Sequence, residues 1–260
     1  MDNEHRSYLI LLGQDGSLTR IVWHALEREF GPFPAILEEP VPVLQLLRRR
    51  VKKLGFIAVL GQLLFRTIAY PFLQFLGRKR IDAIKREFGL DDSPIVGPVV
   101  RVPSVNSDVA RQVLRDLDPA VVVVGGTRII GKETLGSVPA TFINMHAGIT
   151  PRFRGVHGGY WALADGHPEL VGTTVHLVDE GIDTGGVIDQ ALVHVSPSDS
   201  FATYPYLQTG SGIPLLVKAV GQALDGNLET KHEESAQPSR LRFHPTLWGY
   251  LAKRVSKGVR

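Results

Sequence analysis

The stretch AVVVVGG, residues 120–126, is apolar without a break until two glycines end it. A β-strand with one exposed face alternates apolar and polar residues, whereas a strand covered on both faces is apolar throughout. Strands of the second kind occur almost only in parallel sheets that carry helices on both sides. This stretch therefore predicts the centre of a parallel sheet.

The neighbouring segments repeat the order of strand, turn and helix. Residues 7–31 contain the apolar run YLILL, a glycine-bearing turn, and apolar residues at helical spacing. Residues 94–119 contain VVRVP and then a helical pattern with Ser107 or Asp108 at its N-cap. Further strands are predicted at 34–39, 141–146, 172–178 and 185–195, and a helix at 213–224. The pattern predicts a doubly wound α/β fold with a mostly parallel sheet.

Two segments depart from this rhythm. Residues 41–93 have a helical pattern that is unusually apolar between basic flanks, and they predict a helical insertion in a domain of residues 1–226. An arginine inside the apolar run costs about 2.5 to 3.5 kcal/mol in a membrane centre, so the insertion is not expected to span a bilayer. It is expected either to pack on the core or to contact a membrane surface or a partner. The C-terminal extension, residues 227–260, has aromatic residues at 241–251 that predict docking on the body or on a partner.

The amino-acid composition excludes several kinds of functional site. The 260-residue chain is 43% hydrophobic, contains no cysteine and has a formal net charge of +3. Disulfides, thiolate metal sites and cysteine nucleophiles are therefore excluded. The N-terminal apolar run is too short for a secretory signal, so a cytoplasmic location is expected. The modest charge gives no reason to expect a nucleic-acid partner.

Asn144 and His146 lie two residues apart at the end of the predicted strand 141–146, so their side chains point to the same side. Ligands bind at the carboxyl edge of an open α/β sheet. The loop DEGIDTGG, residues 179–186, carries the three carboxylates Asp179, Glu180 and Asp183 among glycines, between two strands predicted for the same sheet. An amide, an imidazole and a carboxylate are therefore expected to meet at one edge. The alternative is a turn in which the asparagine and histidine have only structural hydrogen bonds.

Such a trio suits acyl transfer to an amine. An amide and an imidazolium can donate hydrogen bonds to the oxyanion of a tetrahedral intermediate. A nearby carboxylate would raise the pKa of the imidazole and orient it. No serine or cysteine nucleophile lies beside these residues, which favours direct transfer between two bound substrates.

Two other motifs are weaker. GTRIIGKE, residues 126–133, matches the start of a phosphate loop but has Glu133 where that loop needs serine or threonine. His146, His157 and His176 lack the spacing of a metal site, so no metal is expected.

NMHAGITPRFRG, residues 144–155, resembles the N-x-H-x-S-L-L-P-x-[FYK]-[RK]-G signature of the formyltransferases that use N10-formyltetrahydrofolate. DEGIDTGG resembles their second signature, which ends in the catalytic aspartate. VVVVGGTRII, residues 121–130, is similar to the strand and loop that lie beside the pterin in this family. The resemblance covers roughly residues 7–38 and 95–226.

The resemblance implies a role for each matching residue. Asn144 would stabilise the oxyanion, His146 would be the catalytic histidine, and Asp183 would assist proton transfer. N10-formyltetrahydrofolate would be the formyl donor. Its pterin would contact the backbone of Arg128, Ile129, Ile130, Val178, Asp179, Glu180, Gly181 and Ile182. The acceptor would be held by Gly16, Ser17, His157, Gly158, Tyr160 and Trp161.

The sequence also departs from the family. Gly148, Ile149 and Thr150 replace Ser-Leu-Leu, and Leu18 replaces the asparagine of the phosphate turn in glycinamide ribonucleotide enzymes. The extension is too short for the C-terminal domain of the initiator-tRNA enzymes. The expected acceptor is therefore a small-molecule amine, above all an amino sugar linked to a nucleotide. Glycinamide ribonucleotide, water in a formyltetrahydrofolate hydrolase, and a non-catalytic folate-binding protein stay open as alternatives. The insertion, residues 41–93, and the aromatic residues at 241–251 are both assigned by position to acceptor selection or homodimerisation.

Overall fold

The computed structural model describes residues 8–231 and 239–260. A seven-stranded sheet has the order β3-β2-β1-β4-β5-β7-β8, and a two-stranded sheet pairs β6 with β9. The strands are β1 Leu9–Gln14, β2 Ala35–Glu38, β3 Val99–Val102, β4 Val121–Gly125, β5 Thr141–His146, β6 Phe153–Gly155, β7 Gly172–Leu177, β8 Val187–Leu192 and β9 Arg240–Arg242. β1 to β5 are mutually parallel, whereas β7 runs antiparallel to both β5 and β8.

Helices cover both faces of this sheet. They are α1 Ser17–Phe30, α2 Val43–Leu54, α3 Phe56–Leu64, α4 Tyr70–Phe88, α5 Asp108–Leu117, α6 Lys132–Leu135, α7 Gly158–Asp165, α8 Tyr204–Leu224 and α9 Leu247–Lys257. A π-helical turn, Phe65–Ala69, joins α3 to α4, and a 3-10 turn, Pro168–Leu170, precedes β7. The predicted doubly wound α/β fold with a mostly parallel sheet is confirmed.

The central strands explain why both faces are covered. Leu9, Leu11, Val121 and Val123 pack in one apolar cluster with α1 and α8. The intervening residues Ile10, Leu12, Val122 and Val124 pack in a second cluster with α5. Side chains alternate across a strand, so an unbroken apolar run supplies both layers.

α8 begins earlier than the sequence pattern predicted. The predicted helix 213–224 is the second half of a helix that starts at Tyr204 and contains Pro214. Gly210 and Gly212 weaken the sequence prediction of a helix because glycine has a low helix propensity. Packing nevertheless requires glycine at both positions. A Cβ at Gly210 would lie 2.4 Å from the Phe88 ring, and a Cβ at Gly212 would lie 2.5 Å from Thr173. Close approach of neighbouring elements therefore overrides the low helix propensity of glycine here.

The segment between β2 and β3 is helical from Val43 to Phe88 except at Gly55, where α2 ends before α3 begins. By length and composition alone, Phe56–Phe88 is the one helix among the described residues that could cross a membrane. It has 33 residues, and 28% of its most apolar 18-residue stretch is buried in the protein. The expectation that it does not span stays a prediction, as does the division of the chain into domains.

The C-terminal extension docks on the body where it is described. β9 pairs in parallel with β6, and Tyr250 of α9 is buried in a cluster with Phe65, Tyr160 and Phe201. Thr246 caps α9, since its hydroxyl accepts the Gly249 N–H at 3.0 Å. Residues 232–238 of the predicted extension lie outside the described residues.

Candidate active site

The end of β5 brings two predicted site residues to the sheet edge. The antiparallel register places Asn144 opposite His176 of β7. The Asn144 Nδ2 lies 3.1 Å from the His176 Nε2, while the His176 Nδ1 lies 2.7 Å from the Leu177 carbonyl oxygen. These partners place the His176 proton on Nδ1, so Nε2 accepts from the amide. An amide group has two N–H donors, which leaves Asn144 one donor for a ligand.

Asp183 joins the two strand ends. One carboxylate oxygen accepts the Gly155 N–H at 2.8 Å and lies 3.4 Å from the His146 Nδ1. The other oxygen lies 3.6 Å from the His176 Nε2. Asp183 has a φ of 51°, in the left-handed region that asparagine and aspartate tolerate better than other non-glycine residues. The structure therefore brings Asn144, His146 and Asp183 together, with His176 as a fourth member.

The His146 ring is turned into the protein. Its Nε2 lies 2.7 Å from the Phe153 carbonyl oxygen, and the residue is 6% exposed. Gly148 makes room for this orientation, because a Cβ at that position would lie 2.6 Å from the His146 Nε2. Gly148, which replaces the serine of the family signature, therefore packs directly against the His146 imidazole.

Burial and charge act in opposite directions on this pair. Burial lowers the pKa of His146 and outweighs the opposing effect of Asp183. The expected raised histidine pKa is therefore not observed, because the ring is more deeply buried than spacing alone could show. Burial by itself would raise the pKa of Asp183, but the neighbouring His176 and His146 and the hydrogen bond from the Gly155 N–H hold it below the ordinary value. At neutral pH the pair is a neutral imidazole and a carboxylate.

This protonation state defines what the pair can do. The Phe153 carbonyl requires a proton on the His146 Nε2, so Nδ1 is an acceptor. A proton placed on Nδ1 would lie against the Asp183 carboxylate, which stabilises the resulting imidazolium. The pair is arranged to receive a proton, and Asn144 is arranged to donate a hydrogen bond.

The cluster opens into a cleft of about 820 Å³. One wall is formed by the loops after β4 and β7, and the predicted pterin-contacting residues Arg128, Ile129, Ile130, Val178, Asp179, Gly181 and Ile182 line it. Glu180 does not line the cleft; it is exposed and lies 3.9 Å from the Lys132 Nζ. The Arg128 side chain forms an ion pair with buried Glu38, with 2.6 Å between Nε and Oε2. Its guanidinium anchors the loop to β2.

The predicted acceptor-binding residues separate into two groups. Gly16, Ser17 and His157 line the cleft. Gly158, Tyr160 and Trp161 do not, because α7 begins at Gly158 and its first turn faces the core. Tyr160 is 2% exposed, and the Trp161 indole N–H donates to the Phe243 carbonyl oxygen at 3.0 Å.

The opposite wall comes largely from the insertion and the extension, which were assigned to acceptor selection by position but without naming any residue. Arg50, Gln62, Tyr70 and Gln74 of α2, α3 and α4 line it, together with Tyr206 and Gln208 of α8 and Leu241 to His244 of the extension. Burial and the nearby charge of Arg66 lower the pKa of Arg50. No acidic residue occurs between Glu39 and Asp82, so this wall is cationic. That charge imbalance is the signal in the sequence that could have indicated the cationic character of this wall.

A histidine pair closes the base of this wall. The His157 Nε2 and His244 Nδ1 are 2.9 Å apart. Burial and the charge of His244 lower the pKa of His157 to about 3, and burial with the charges of Arg50 and Arg66 lowers that of His244 to about 4. Both imidazoles are therefore neutral at pH 7, and the positive charge of the wall comes from arginine. Among residues 8–231 and 239–260, no group of three His, Cys, Asp or Glu is placed to hold a metal ion.

Replacing Gly148 with alanine is expected to destabilise the protein by about 1 to 3 kcal/mol, the usual cost of overpacking. The new Cβ would lie 2.6 Å from both the His146 Nε2 and the Phe153 carbonyl oxygen, so the hydrogen bond between them must break. Urea denaturation measures the change. Gly221→Ala is the matched control, because a Cβ there meets nothing within 4 Å and should be neutral or stabilising. A Gly148→Ala protein as stable as the parent would contradict the packing described here.

The chain matches known proteins in the region that holds this cluster. Residues 100–208 match the family model described as formyl transferase. A methionyl-tRNA formyltransferase from Anaeromyxobacter sp. (strain K) is 32% identical over 169 residues, which are 63% of this chain and 54% of that protein. The chain thus spans about half the length of the curated relatives it matches.

Two solved structures share the fold. The phosphoribosylglycinamide formyltransferase from Bacillus halodurans has a TM-score of 0.53 and 19% identity, over 83% of this chain and 95% of that one. An N-formyltransferase from Helicobacter canadensis, in complex with folinic acid and dTDP-3-aminofucose, has a TM-score of 0.54 and 14% identity, over 90% and 71%. At these identities the structures establish the fold alone.

The fold is that of an α/β protein whose polar cluster lies at the carboxyl edge of the sheet. Residues 100–208 are a formyl transferase domain, and the resemblance seen in the two signatures is confirmed. Asn144, His146 and Asp183 all lie within this domain.

Proposed function

We propose that this protein transfers a formyl group from N10-formyltetrahydrofolate to the primary amine of a small-molecule acceptor. The observation that carries the proposal is the convergence of Asn144, His146 and Asp183 on one cleft of a formyl transferase domain. A structural turn would not need an amide donor, a proton acceptor and a carboxylate facing the same space.

The cleft fits a folate donor. Its volume is within the roughly 300 to 1,000 Å³ of small-molecule sites. Ile129, Ile130, Val178 and Ile182 supply apolar surface along the wall formed by the two loops. A flat heteroaromatic ring suits such a wall, because its faces need apolar contact and its edge needs backbone donors and acceptors.

The chemistry follows from the protonation state of the cluster. The acceptor amine attacks the formyl carbon, a carbon–nitrogen bond forms, and the carbonyl oxygen becomes an oxyanion. The free N–H of Asn144 donates to that oxygen, a contact worth about 2.7 to 4 kcal/mol in comparable sites. The proton lost by the amine passes to the His146 and Asp183 pair. The bond from the formyl carbon to N10 then breaks, and N10 takes up a proton as tetrahydrofolate leaves.

For the acceptor we propose an amino sugar linked to a nucleotide. The cationic wall with Arg50 suits the phosphates of a nucleotide, since arginine binds phosphate oxygens in a bidentate way. Tyr70 on the same wall can pack against a sugar or a base. The Helicobacter canadensis protein is named with such a ligand. The curated relatives are named for methionyl-tRNA, which makes a charged tRNA the main competing acceptor.

The experiment measures tetrahydrofolate release from N10-formyltetrahydrofolate by absorbance. Its arms are nucleotide-linked amino sugars, glycinamide ribonucleotide, methionyl initiator tRNA and a blank without amine. Turnover with an amino sugar that falls in Asn144→Ala and His146→Ala supports the proposal. Turnover with only ribonucleotide or tRNA would keep formyl transfer and overturn the acceptor, and turnover in the blank would indicate a hydrolase. No turnover and no binding of reduced folate would overturn the function as a whole.

A further inference from the structure

A stripe of apolar side chains runs along the outside of the helix formed by α3, the π-helical turn and α4. Each member is between 40% and 74% exposed. The stripe consists of Phe56, Leu60, Leu63, Ile68, Phe72 and Phe75. Soluble proteins rarely leave a contiguous apolar surface of this kind uncovered unless it binds something.

The π-helical turn keeps the stripe on one line. Steps of three and four residues hold side chains on one face of an α-helix. The step from Leu63 to Ile68 is five residues, and it falls on the π-helical turn Phe65–Ala69. A π-turn accommodates one extra residue, so the stripe continues without rotating around the helix. We name this surface, together with the neighbouring helix α2, the outer helical face.

The opposite side of the same helix packs on the body. Val59, Phe65, Leu73 and Ile84 are buried there. The Gln62 amide donates to the His244 carbonyl oxygen at 2.9 Å. A membrane-spanning helix would have to leave these contacts, whereas a helix lying at a membrane surface can keep all of them.

Basic residues frame the outer helical face without any acidic residue. The segment 40–81 has no Asp or Glu. Its nine basic residues are Arg48, Arg49, Arg50, Lys52, Lys53, Arg66, Arg78, Lys79 and Arg80. Arg50 lines the cleft and Arg80 pairs with Asp199, which leaves seven of the nine for the outer helical face. α2 itself has no buried residue, and Val43, Leu47, Val51 and Leu54 form an apolar row along it. An amphipathic helix with Lys and Arg on its polar side is the form that lies in a lipid headgroup region.

We propose that the outer helical face binds an anionic lipid surface. The apolar stripe would enter the boundary between headgroups and acyl chains, and the surrounding Lys and Arg would contact lipid phosphates. Arg50, Tyr70 and Gln74 of the same helices line the cleft, so binding would hold the cleft close to the lipid surface. The proposal does not depend on the reaction that the cleft performs.

Two other occupants explain less of the surface. A second copy of the chain would use the same patch on both partners, and this would bring two sets of cations together without an acidic residue from the segment to offset them. A nucleic acid would satisfy the cations, but its phosphates give no reason for exposed Phe72, Phe75 and Ile68. Anionic lipid satisfies both the charge and the apolar stripe.

Vesicle sedimentation of the full chain tests the proposal, with phosphatidylcholine vesicles that contain or lack phosphatidylglycerol. Binding is expected only with phosphatidylglycerol and should weaken as salt is raised. Phe72→Ser and Phe75→Ser should each reduce binding by on the order of tenfold. Arg48→Gln and Arg49→Gln should each reduce it by about fivefold. Val96→Ser removes an 86% exposed apolar side chain elsewhere and should leave binding unchanged.

Several results would overturn the proposal. The first is failure to sediment with either kind of vesicle, and the second is lipid binding that the two phenylalanine variants do not reduce. A dimer in analytical ultracentrifugation that Phe72→Ser dissociates would assign the face to a second copy. A protein that binds RNA but does not sediment with vesicles would assign the outer helical face to a nucleic acid. Circular dichroism of every variant verifies that a lost interaction is not lost folding.

Discussion

Asp183→Asn is expected to reduce formyl transfer by roughly 10² to 10⁴-fold, the usual contribution of general acid–base catalysis. The carboxylate is the one negative charge that faces the His146 Nδ1, at 3.4 Å, within this cluster. With an amide in its place, an imidazolium formed during the reaction would be buried without an opposite charge. The effect should appear in kcat rather than in KM, because Asp183 acts on the proton and not on the binding of either substrate.

The substitution should leave the fold intact. Asparagine tolerates the left-handed φ of 51° at this position, and its side-chain oxygen can still accept the Gly155 N–H. Steady-state kinetics and thermal melting of the same preparation separate a catalytic effect from an unfolded protein. Asp116→Asn, an exposed aspartate on α5, is the matched control and should have parental kinetics. Parental kcat in a folded Asp183→Asn protein would remove this residue from the mechanism.

Local sequence carried most of the information on the sheet. The Val121 to Val124 run could be assigned because a strand with two covered faces has a pattern that no surface strand shares. The start of α8 could not be assigned in the same way. Gly210 and Gly212 allow close packing against Phe88 and Thr173. These partners are distant in sequence, so a local pattern cannot predict the contacts.

The site residues also separate into those that local sequence could predict and those that depend on contacts between distant segments. Asn144 and His146 were found because strand geometry fixes the relation of residues two apart. The glycine-rich loop offered three carboxylates, and the resemblance to the family signature selected Asp183 among them. His176 was read only as a metal candidate, since its pairing with Asn144 comes from the antiparallel register of β5 and β7. The cationic wall could not be found from spacing at all. Arg50 and Gln74 reach the cleft through the packing of helices far away in sequence.

The helices that form this wall are held by a buried ion pair. Asp199 accepts from the Arg80 Nε at 2.8 Å, and its side chain is fully inaccessible to solvent. The Ser196 N–H and hydroxyl also donate to it, at 2.8 and 2.6 Å. The contact ties α4 to the loop before α8, so it fixes the position of both the cleft wall and the outer helical face.

Asp199→Ala is therefore expected to destabilise the protein by about 3 kcal/mol, near the lower end of the range for breaking a buried pair, because Arg80 keeps some contact with water. Urea denaturation measures the loss. Asp82→Ala, an exposed aspartate on the same helix, should change stability by no more than about 0.5 kcal/mol. The coupling energy comes from the double-mutant cycle with Arg80→Met.

The same pair gives a pH dependence whose sign follows from the pKa of Asp199. Burial would raise that pKa, but hydrogen bonds from Arg80 and Ser196 and the charge of Arg80 outweigh burial and hold it below the ordinary value. A carboxyl whose pKa is lower in the folded state stabilises the protein fully above its unfolded pKa of about 3.9 and loses that contribution as pH falls through the folded value. The stability difference between the parent and Asp199→Ala should therefore be constant from neutral pH down to about pH 5 and shrink below about pH 4. A difference that stayed constant into that acid range would show that Asp199 acts through packing and not through its charge.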